Sequence, residues 1–413
     1  MNQPRLLPLL GLLFLAAPAA AQMPWETGPY QVGLRPHAYF TPKSSSPFGA
    51  VFGRSFYPAL GEGLDAPPDV AGGPYPHIAF LHGHTLDTSH YVVAMQQLAS
   101  WGFIVTGCDT NVGFIEPAMV AELADDQLLL MNLIEAEDAP GGFWEGMFDG
   151  GDWGVVGHSM GGATLPFFTS VAPRVTAASS HQPYLGDLFG GSFPASTSFA
   201  SYDGSLVVIG ATEDTLTPWD TMCLPWYQAA TSASRRVFTL VDGMGHLGLV
   251  DVPQTGDPMT AEEQDRITNL WMTGYFRAEL YGETHLFDLL LGEAAQSEPW
   301  TLESGGSEPL LWATTSAGQP GSMGFGVAGD YGELVLVGLA PQPASIPSVW
   351  GTIGIDLATS SVLFSGNLGA ATGLTQQFAP IPGTSGVPFY LQALQLPAAG
   401  GGELSPVVTY VAP

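Results

Sequence analysis

Cationic side chains are scarce in this sequence. Its 413 residues include 9 Lys and Arg against 38 Asp and Glu, a net charge of −29, and no Lys or Arg follows Arg277. Nucleic acid and anionic membrane surfaces are bound through clustered Lys and Arg, so this balance argues against both as partners. Cysteine is nearly absent: Cys108 and Cys223 are the only two. A multi-bridge disulfide framework is thereby excluded. Export would permit a single bridge. Cys108 is expected to end a central strand and Cys223 to lie on a helix near one sheet edge, which suits two buried thiols better. Long apolar runs are also missing. The one candidate, Leu6 to Leu15, is interrupted by Pro8 and Gly11 and is too short to cross a bilayer comfortably. Arg5 precedes it and Ala19-Ala20-Ala21 stands before Gln22, a small-x-small cleavage pattern. Residues 1–21 therefore read as a secretory signal, and the mature chain as exported and soluble, without a transmembrane segment.

What is present is apolar residues at 46%, with 53 Gly and 35 Pro. That is too hydrophobic for disorder and suits a loop-rich chain long enough for two cored domains. Short apolar strands alternate with helical patterns up to about residue 280. They include His77–Leu81, Phe103–Thr106, Trp153–Val156, Val175–Ala178, Leu206–Ile209 and Val237–Val241. Ser89 is placed to cap a helix carrying Tyr91, Met95 and Leu98, which Gly102 stops. Met119 to Ile134 reads as a further helix. Thr260-Ala261-Glu262-Glu263 is a capping box ahead of an amphipathic helix with Ile267, Leu270, Trp271 and Tyr275 on one face. Such alternation predicts an α/β fold, a mostly parallel sheet with helices on both faces. After Gly292 the chain changes to a polar stretch and then to short β-type runs split by Gly, Pro and Ser turns. The predicted organisation is an α/β domain over 22–292, a linker over 293–308 and an antiparallel β-sandwich over 309–413. A boundary near Gly292 implies that the part before it folds alone.

The strand Trp153–Val156 runs into Gly157-His158-Ser159-Met160-Gly161-Gly162 and then an apolar stretch. Strand, tight turn and helix is the setting of a G-x-S-x-G nucleophile elbow, with Ser159 as nucleophile. Pro166 falls inside the following helix and predicts a local kink or tightening. A serine hydroxyl needs a base, and the base a carboxylate that sets its tautomer. In elbow folds these follow in the order serine, acid, histidine. Asp214 lies on the loop after Leu206–Ile209 and His246 on the loop after Val237–Val241; Glu213 and Asp242 are competing acids, with Asp214 preferred. Oxyanion stabilisation calls for two backbone N–H donors. Met160 supplies one, and His84 in His82-Gly83-His84 is the choice for the other. The His-x-His pair could alternatively join His90 or His181 around a metal, but the elbow accounts for that loop better. No metal or organic cofactor is expected.

Several stretches carry a family likeness: Gly28-Pro29-Tyr30, Trp101-Gly102-Phe103-Ile104-Val105, Asp109-Thr110-Asn111, the elbow hexapeptide, and Gly245-His246. Through them, Gly28 to about Gly282 resembles the secreted bacterial polyester hydrolases and cutinases of the α/β-hydrolase superfamily. Chlorophyllase-like and platelet-activating-factor-acetylhydrolase-like esterases share much of the pattern. The resemblance implies a secreted serine carboxylesterase with Ser159, Asp214 and His246 as triad and His84 with Met160 as oxyanion donors. It places Tyr184 where the family usually has a tryptophan lining the acyl subsite, and His84 where it usually has Tyr or Phe. The implied substrate is an ester, polymeric or lipid; the alternative is a small or phospholipid acyl ester. A non-catalytic binding or surface protein on a hydrolase fold is the rival of another class, and the intact triad set argues against it.

Overall fold

The computed structural model describes residues 22–45, 49–110, 115, 117–185, 199–252, 256–292, 294–306, 309–314, 323–329, 333–368, 374–378, 387–397 and 401–411. The expected signal segment, 1–21, lies outside the described residues. Ten strands form one sheet: β1 (Gln31–Phe40), β2 (Ala50–Ala59), β3 (Gly63–Leu64), β4 (Tyr75–Leu81), β5 (Ile104–Cys108), β6 (Phe148–His158), β7 (Val175–His181), β8 (Ser205–Ala211), β9 (Arg235–Val241) and β10 (Trp300–Gly305). Their spatial order is β10-β9-β8-β7-β6-β4-β5-β2-β1-β3. From β5 to β9 all neighbours are parallel; β2 pairs antiparallel with β1 and β5, β10 pairs antiparallel with β9, and β3 runs parallel to β1.

Alternating residues of the central strands face opposite layers. Ile78 and Phe80 of β4, Val207 and Ile209 of β8, and Val156 of β6 pack beneath α1 (Val92–Ser100) and the later helix α5 (Ala261–Leu280). Ala79, Leu81, Val155, Leu206 and Val208 face the other way, against α2 (Pro117–Glu135), α3 (Met160–Val171) and α4 (Leu224–Ala229). The doubly covered, mostly parallel sheet expected from the strand–helix alternation is therefore present. Among the described residues no helix is long and apolar enough to cross a membrane. Cys108 and Cys223 are both buried and free.

Helix starts show where local pattern and tertiary structure part. Thr260 caps α5 as expected, its Oγ1 accepting from the Glu263 amide at 3.3 Å. The Glu263 carboxylate does not return to Thr260; it pairs with Arg266 at 2.8 Å. Ser89 does not cap α1. Asp87 caps a short turn over Thr88–His90, and α1 starts beyond Tyr91 without a local side-chain cap. The carboxylate of Asp251, from a distant loop, accepts from the Val93 amide instead, at 3.1 Å. Gly102 ends this region in the left-handed conformation, φ 95°. Helix α3 runs on through Pro166.

The described part of the expected linker, residues 294–306, is structured. Within 293–308, Trp300–Gly305 extends the sheet as β10, paired antiparallel to β9 with Trp300 opposite Val241. Helix α6 (Phe287–Leu291) leads into it. The next strand, β11 (Leu310–Thr314), also joins the core of the large sheet: Leu310 and Trp312 cluster with Leu286, Phe287 and Trp300. Trp312 Nε1 donates to Asp288 Oδ1 at 3.3 Å. Gly292 is thus no seam. A β-strand edge left unpaired and an exposed apolar face both cost free energy, so this chain carries its sheet and core across the point where composition changes.

Beyond lie β12 (Met323–Ala328), β13 (Leu334–Ala340), β14 (Pro343–Ser348), β15 (Gly351–Ile355), β16 (Ser361–Asn367), β17 (Leu374–Phe378), β18 (Pro388–Leu396), β19 (Glu403–Leu404) and β20 (Val408–Val411). They form a three-stranded sheet β11-β12-β17, a five-stranded sheet β16-β13-β18-β19 with β20 also on β18, and the hairpin β14-β15. Leu311, Phe325 and Val327 of the first sheet share a core with Val335, Val337, Leu391 and Ala393 of the second, as in a β-sandwich.

Candidate active site

The strand register brings the site together. His158 of β6 stands beside His181 of β7, His181 beside Ile209 of β8, and Ala211 beside Val241 of β9. Four parallel strands thus end flush, and their loops open on one edge, where sites of such sheets form. Ser159 follows β6 directly. Its φ of 55° and ψ of −114° are strained for a residue with a side chain. The turn admits no bulk: a Cβ on Gly157 would lie 2.4 Å from the Gly161 carbonyl oxygen, and one on Gly161 would lie 1.9 Å from that of Leu81. The Ser159 amide donates to the His181 carbonyl at 3.0 Å, and the Ser159 carbonyl accepts from the Tyr184 amide at 3.1 Å. The strained turn is therefore held from both sides.

His246 meets the serine. Its Nε2 lies 3.1 Å from Ser159 Oγ, and its Nδ1 lies 2.7 Å from Asp214 Oδ2. Of the three acids weighed, Asp214 is the one beside His246. Glu213 and Asp242 are exposed, and both approach Thr212 Oγ1, at 3.5 and 3.3 Å. The Asp214 side chain is fully buried. Burial alone would raise its pKa, yet the hydrogen bonds from His246 and Thr217 outweigh that and hold the carboxyl below its ordinary range. Asp214 Oδ1 accepts from the amides of Leu216 and Thr217, at 2.9 and 2.8 Å.

Sequence reasoning missed Thr217. Its hydroxyl lies 2.5 Å from Asp214 Oδ2 and 3.2 Å from His246 Nδ1, so it braces the acid–imidazole pair. The Asp-x-x-Thr spacing was the one available signal, an Asx-type turn in which the aspartate collects the amides that follow it. His158 and Tyr91 were also missed. Tyr91 Oη lies 2.9 Å from His158 Nδ1, and His158 Nε2 lies 2.8 Å from the His246 carbonyl oxygen. Burial, reinforced by the neighbouring His246, lowers the His158 pKa to about 3, so its ring is neutral.

Met160 heads α3, where first-turn amides have no intrahelical acceptor. His84 is half-buried on the turn after β4, next to Gly83, whose own amide donates to Tyr91 Oη at 2.8 Å. Tyr184 lies at the elbow through its backbone, while its ring is buried in the cluster with Phe199 and Trp226. The alternative metal set is dispersed. His82 engages the Gly83 and Thr110 carbonyls at 2.8 and 3.0 Å, and His181 engages Ser179 Oγ at 2.9 Å. Among the described residues no group of three or more His, Cys, Asp or Glu is arranged to hold a metal ion.

Known proteins are similar in sequence to this chain. The cutinase cut1 of Thermobifida fusca is 26% identical over 246 residues, covering 58% of this chain and 69% of that protein. A bis(hydroxyethyl) terephthalate hydrolase of Streptomyces coelicolor is 26% identical over 245 residues, covering 58% of this chain and 71% of its own. Cutinase est2 of Thermobifida alba is 28% identical over 172 residues, covering 42% of this chain and 53% of its own. A family model described as PET hydrolase-like matches residues 17–259, which includes the elbow, the acid loop and the histidine loop. With more than half its length matched, and with the doubly covered sheet that the superfamily requires, the chain belongs to the PET hydrolase-like, cutinase-like family of α/β-hydrolases.

Proposed function

We propose that the protein is a secreted serine carboxylic-ester hydrolase of the cutinase or polyesterase type, working through an acyl-enzyme on Ser159. The observation that carries this reading is the continuous contact from Ser159 Oγ to His246 Nε2, 3.1 Å, and from His246 Nδ1 to Asp214 Oδ2, 2.7 Å. Ser159 Oγ attacks the ester carbonyl carbon while His246 Nε2 takes its proton. Asp214 fixes the tautomer and stabilises the imidazolium, with Thr217 bracing both. Charge develops on the carbonyl oxygen, and the Met160 and His84 amides are assigned to receive it. The C–O bond to the alcohol breaks, and the alcohol leaves with the proton from His246. Water then attacks the acyl carbon with His246 as base, releasing the acid and restoring Ser159. Every step uses side chains and amides of this chain.

The relatives named as cutinases and as a terephthalate-ester hydrolase support a bulky or polymeric ester as substrate. Residues 1–21 are assigned as the secretory segment and the strands from β12 onward as an accessory β domain, with β11 shared between it and the core of the large sheet. Tyr184, its ring buried among Phe199 and Trp226, is not assigned to the acyl subsite. The test is a fluorophosphonate probe together with p-nitrophenyl esters and a polyester film. The wild-type chain is expected to be labelled at Ser159 and to hydrolyse both, and Ser159→Ala to do neither. Unlabelled wild-type protein without ester turnover would sink the reading.

A further inference from the structure

His246 reaches Ser159 from some distance. Its loop follows β9, which β7 and β8 separate from β6. At about 4.8 Å per strand the loop has roughly 14 Å to cross. Something at the elbow must hold its far end. His158, 1% exposed, does so: its Nε2 is 2.8 Å from the His246 carbonyl oxygen, and the two rings lie 4.9 Å apart, centroid to centroid. A carbonyl oxygen only accepts, so His158 Nε2 carries the proton and Nδ1 is bare. Tyr91 Oη, 2.9 Å away, then donates to Nδ1, and its oxygen accepts the Gly83 N–H at 2.8 Å. Burial drives the Tyr91 pKa up, which keeps the hydroxyl protonated. Each bond has one direction: Gly83 N–H to Tyr91, Tyr91 O–H to His158, His158 N–H to the backbone of His246.

We propose that Tyr91 and His158 are positioning residues for the ester reaction, forming a strap from the Gly83–His84 turn through the elbow to the backbone of His246. This rests on the serine-hydrolase reading above. The Tyr91 hydroxyl acts by locking the His158 tautomer. Without it the proton is free to move to Nδ1, and the bare Nε2 would then face the His246 carbonyl, lone pair to lone pair. The base would lose its anchor while the ring packing of Tyr91 stayed intact.

The experiment compares wild type, Tyr91→Phe, His158→Gln, His158→Leu and the Tyr91→Phe/His158→Leu pair on a p-nitrophenyl ester and an alkyl ester of the same acid. A p-nitrophenolate leaves unprotonated, whereas an alkoxide leaves with the proton His246 delivers. A misplaced imidazole therefore penalises the alkyl ester more. Tyr91→Phe is expected to lower kcat about tenfold on the alkyl ester and less than about threefold on the p-nitrophenyl ester, with KM within about twofold. His158→Gln puts an amide N–H in place of the Nε2–H and should keep most of the alkyl-ester rate. His158→Leu should lose it, and adding Tyr91→Phe should cost nothing more, since the hydroxyl acts only through His158. Equal loss on both esters, or none, in Tyr91→Phe would overturn the strap, as would equal rates in His158→Gln and His158→Leu should Tyr91→Phe fail to fold. If the wild-type chain shows no Ser159-dependent turnover of either ester, the hydrolase reading falls and the strap with it. If it turns over and the variants match it, the strap alone falls.

Discussion

Trp271 of α5 and Trp300 of β10 meet edge to face with ring centroids 5.7 Å apart. Both are nearly fully buried. The contact joins the last long helix of the hydrolase unit to a strand beyond Gly292. Trp300→Ala should therefore destabilise the chain by about 3 kcal/mol, the usual cost of deleting a large buried aromatic ring. A chain ending at Gly292 should lose more, because β9 also loses its edge partner and Phe287 its cover by Trp312. Urea unfolding of the three proteins measures this. A chain ending at Gly292 with the full-length midpoint would show that β10 contributes nothing to the hydrolase core.

The acid–imidazole pair yields an ordered series. Ser159→Ala and His246→Ala should cut kcat by about 10⁴- to 10⁶-fold with the fold intact. Asp214→Asn should lose a similar or smaller amount, through the wrong tautomer of His246. Thr217→Val, which removes the brace and leaves the triad atoms in place, should cost about tenfold in kcat. Glu213→Gln and Asp242→Asn should stay near wild type, because both side chains are exposed and neither approaches His246. Steady-state kinetics on a soluble ester decides the ranking.

Buried histidines set how stability responds to acid. Burial lowers the pKa of His37 and His181 to about 3, with Arg35 adding to it at His37, and His158 likewise sits at about 3. His77 and His82 are lowered in the same sense by burial. The unfolded chain, with ordinary histidines, takes up protons that the folded chain refuses. Stability is thus complete above about pH 6.5 and declines as pH falls toward about 3. Between pH 7.5 and 5, each of the three at about 3 should remove about 2 kcal/mol. Asp251 and Asp265, raised by burial, act in the opposite sense. Urea midpoints at the two pH values should differ accordingly, and His181→Asn should flatten the difference. A pH-independent midpoint would contradict it.

The start of α1 offers a contrast between near and distant caps. Ser89→Ala should change stability little, since its hydroxyl bonds Asp87 and not the helix. Asp251→Ala should cost about 1 kcal/mol, as the loss of a cap usually does. Thermal melting of the two variants side by side tests which residue holds Val93.

The amino-acid sequence by itself determined what depends on near neighbours. The alternation of apolar strands and helices, the small residues around Ser159 and the Thr260 cap all act within a few residues, where sterics and periodicity suffice. The order Ser159, Asp214, His246 was legible because parallel strands put successive loops on one edge. Only the tertiary structure decided which acid faces His246, since Glu213 and Asp214 are adjacent in the chain and differ only in the direction the loop turns them. It alone brought Tyr91 to His158, Thr217 to His246 and Asp251 to Val93. These partners lie on separate elements, and the packing of those elements, not local pattern, sets their distance. Trp300–Gly305 read as linker because its polar and acidic residues alternate with few apolar ones. An edge strand buries one face and leaves the other to water, so Trp300 and Leu302 suffice once β9 is there to pair with them.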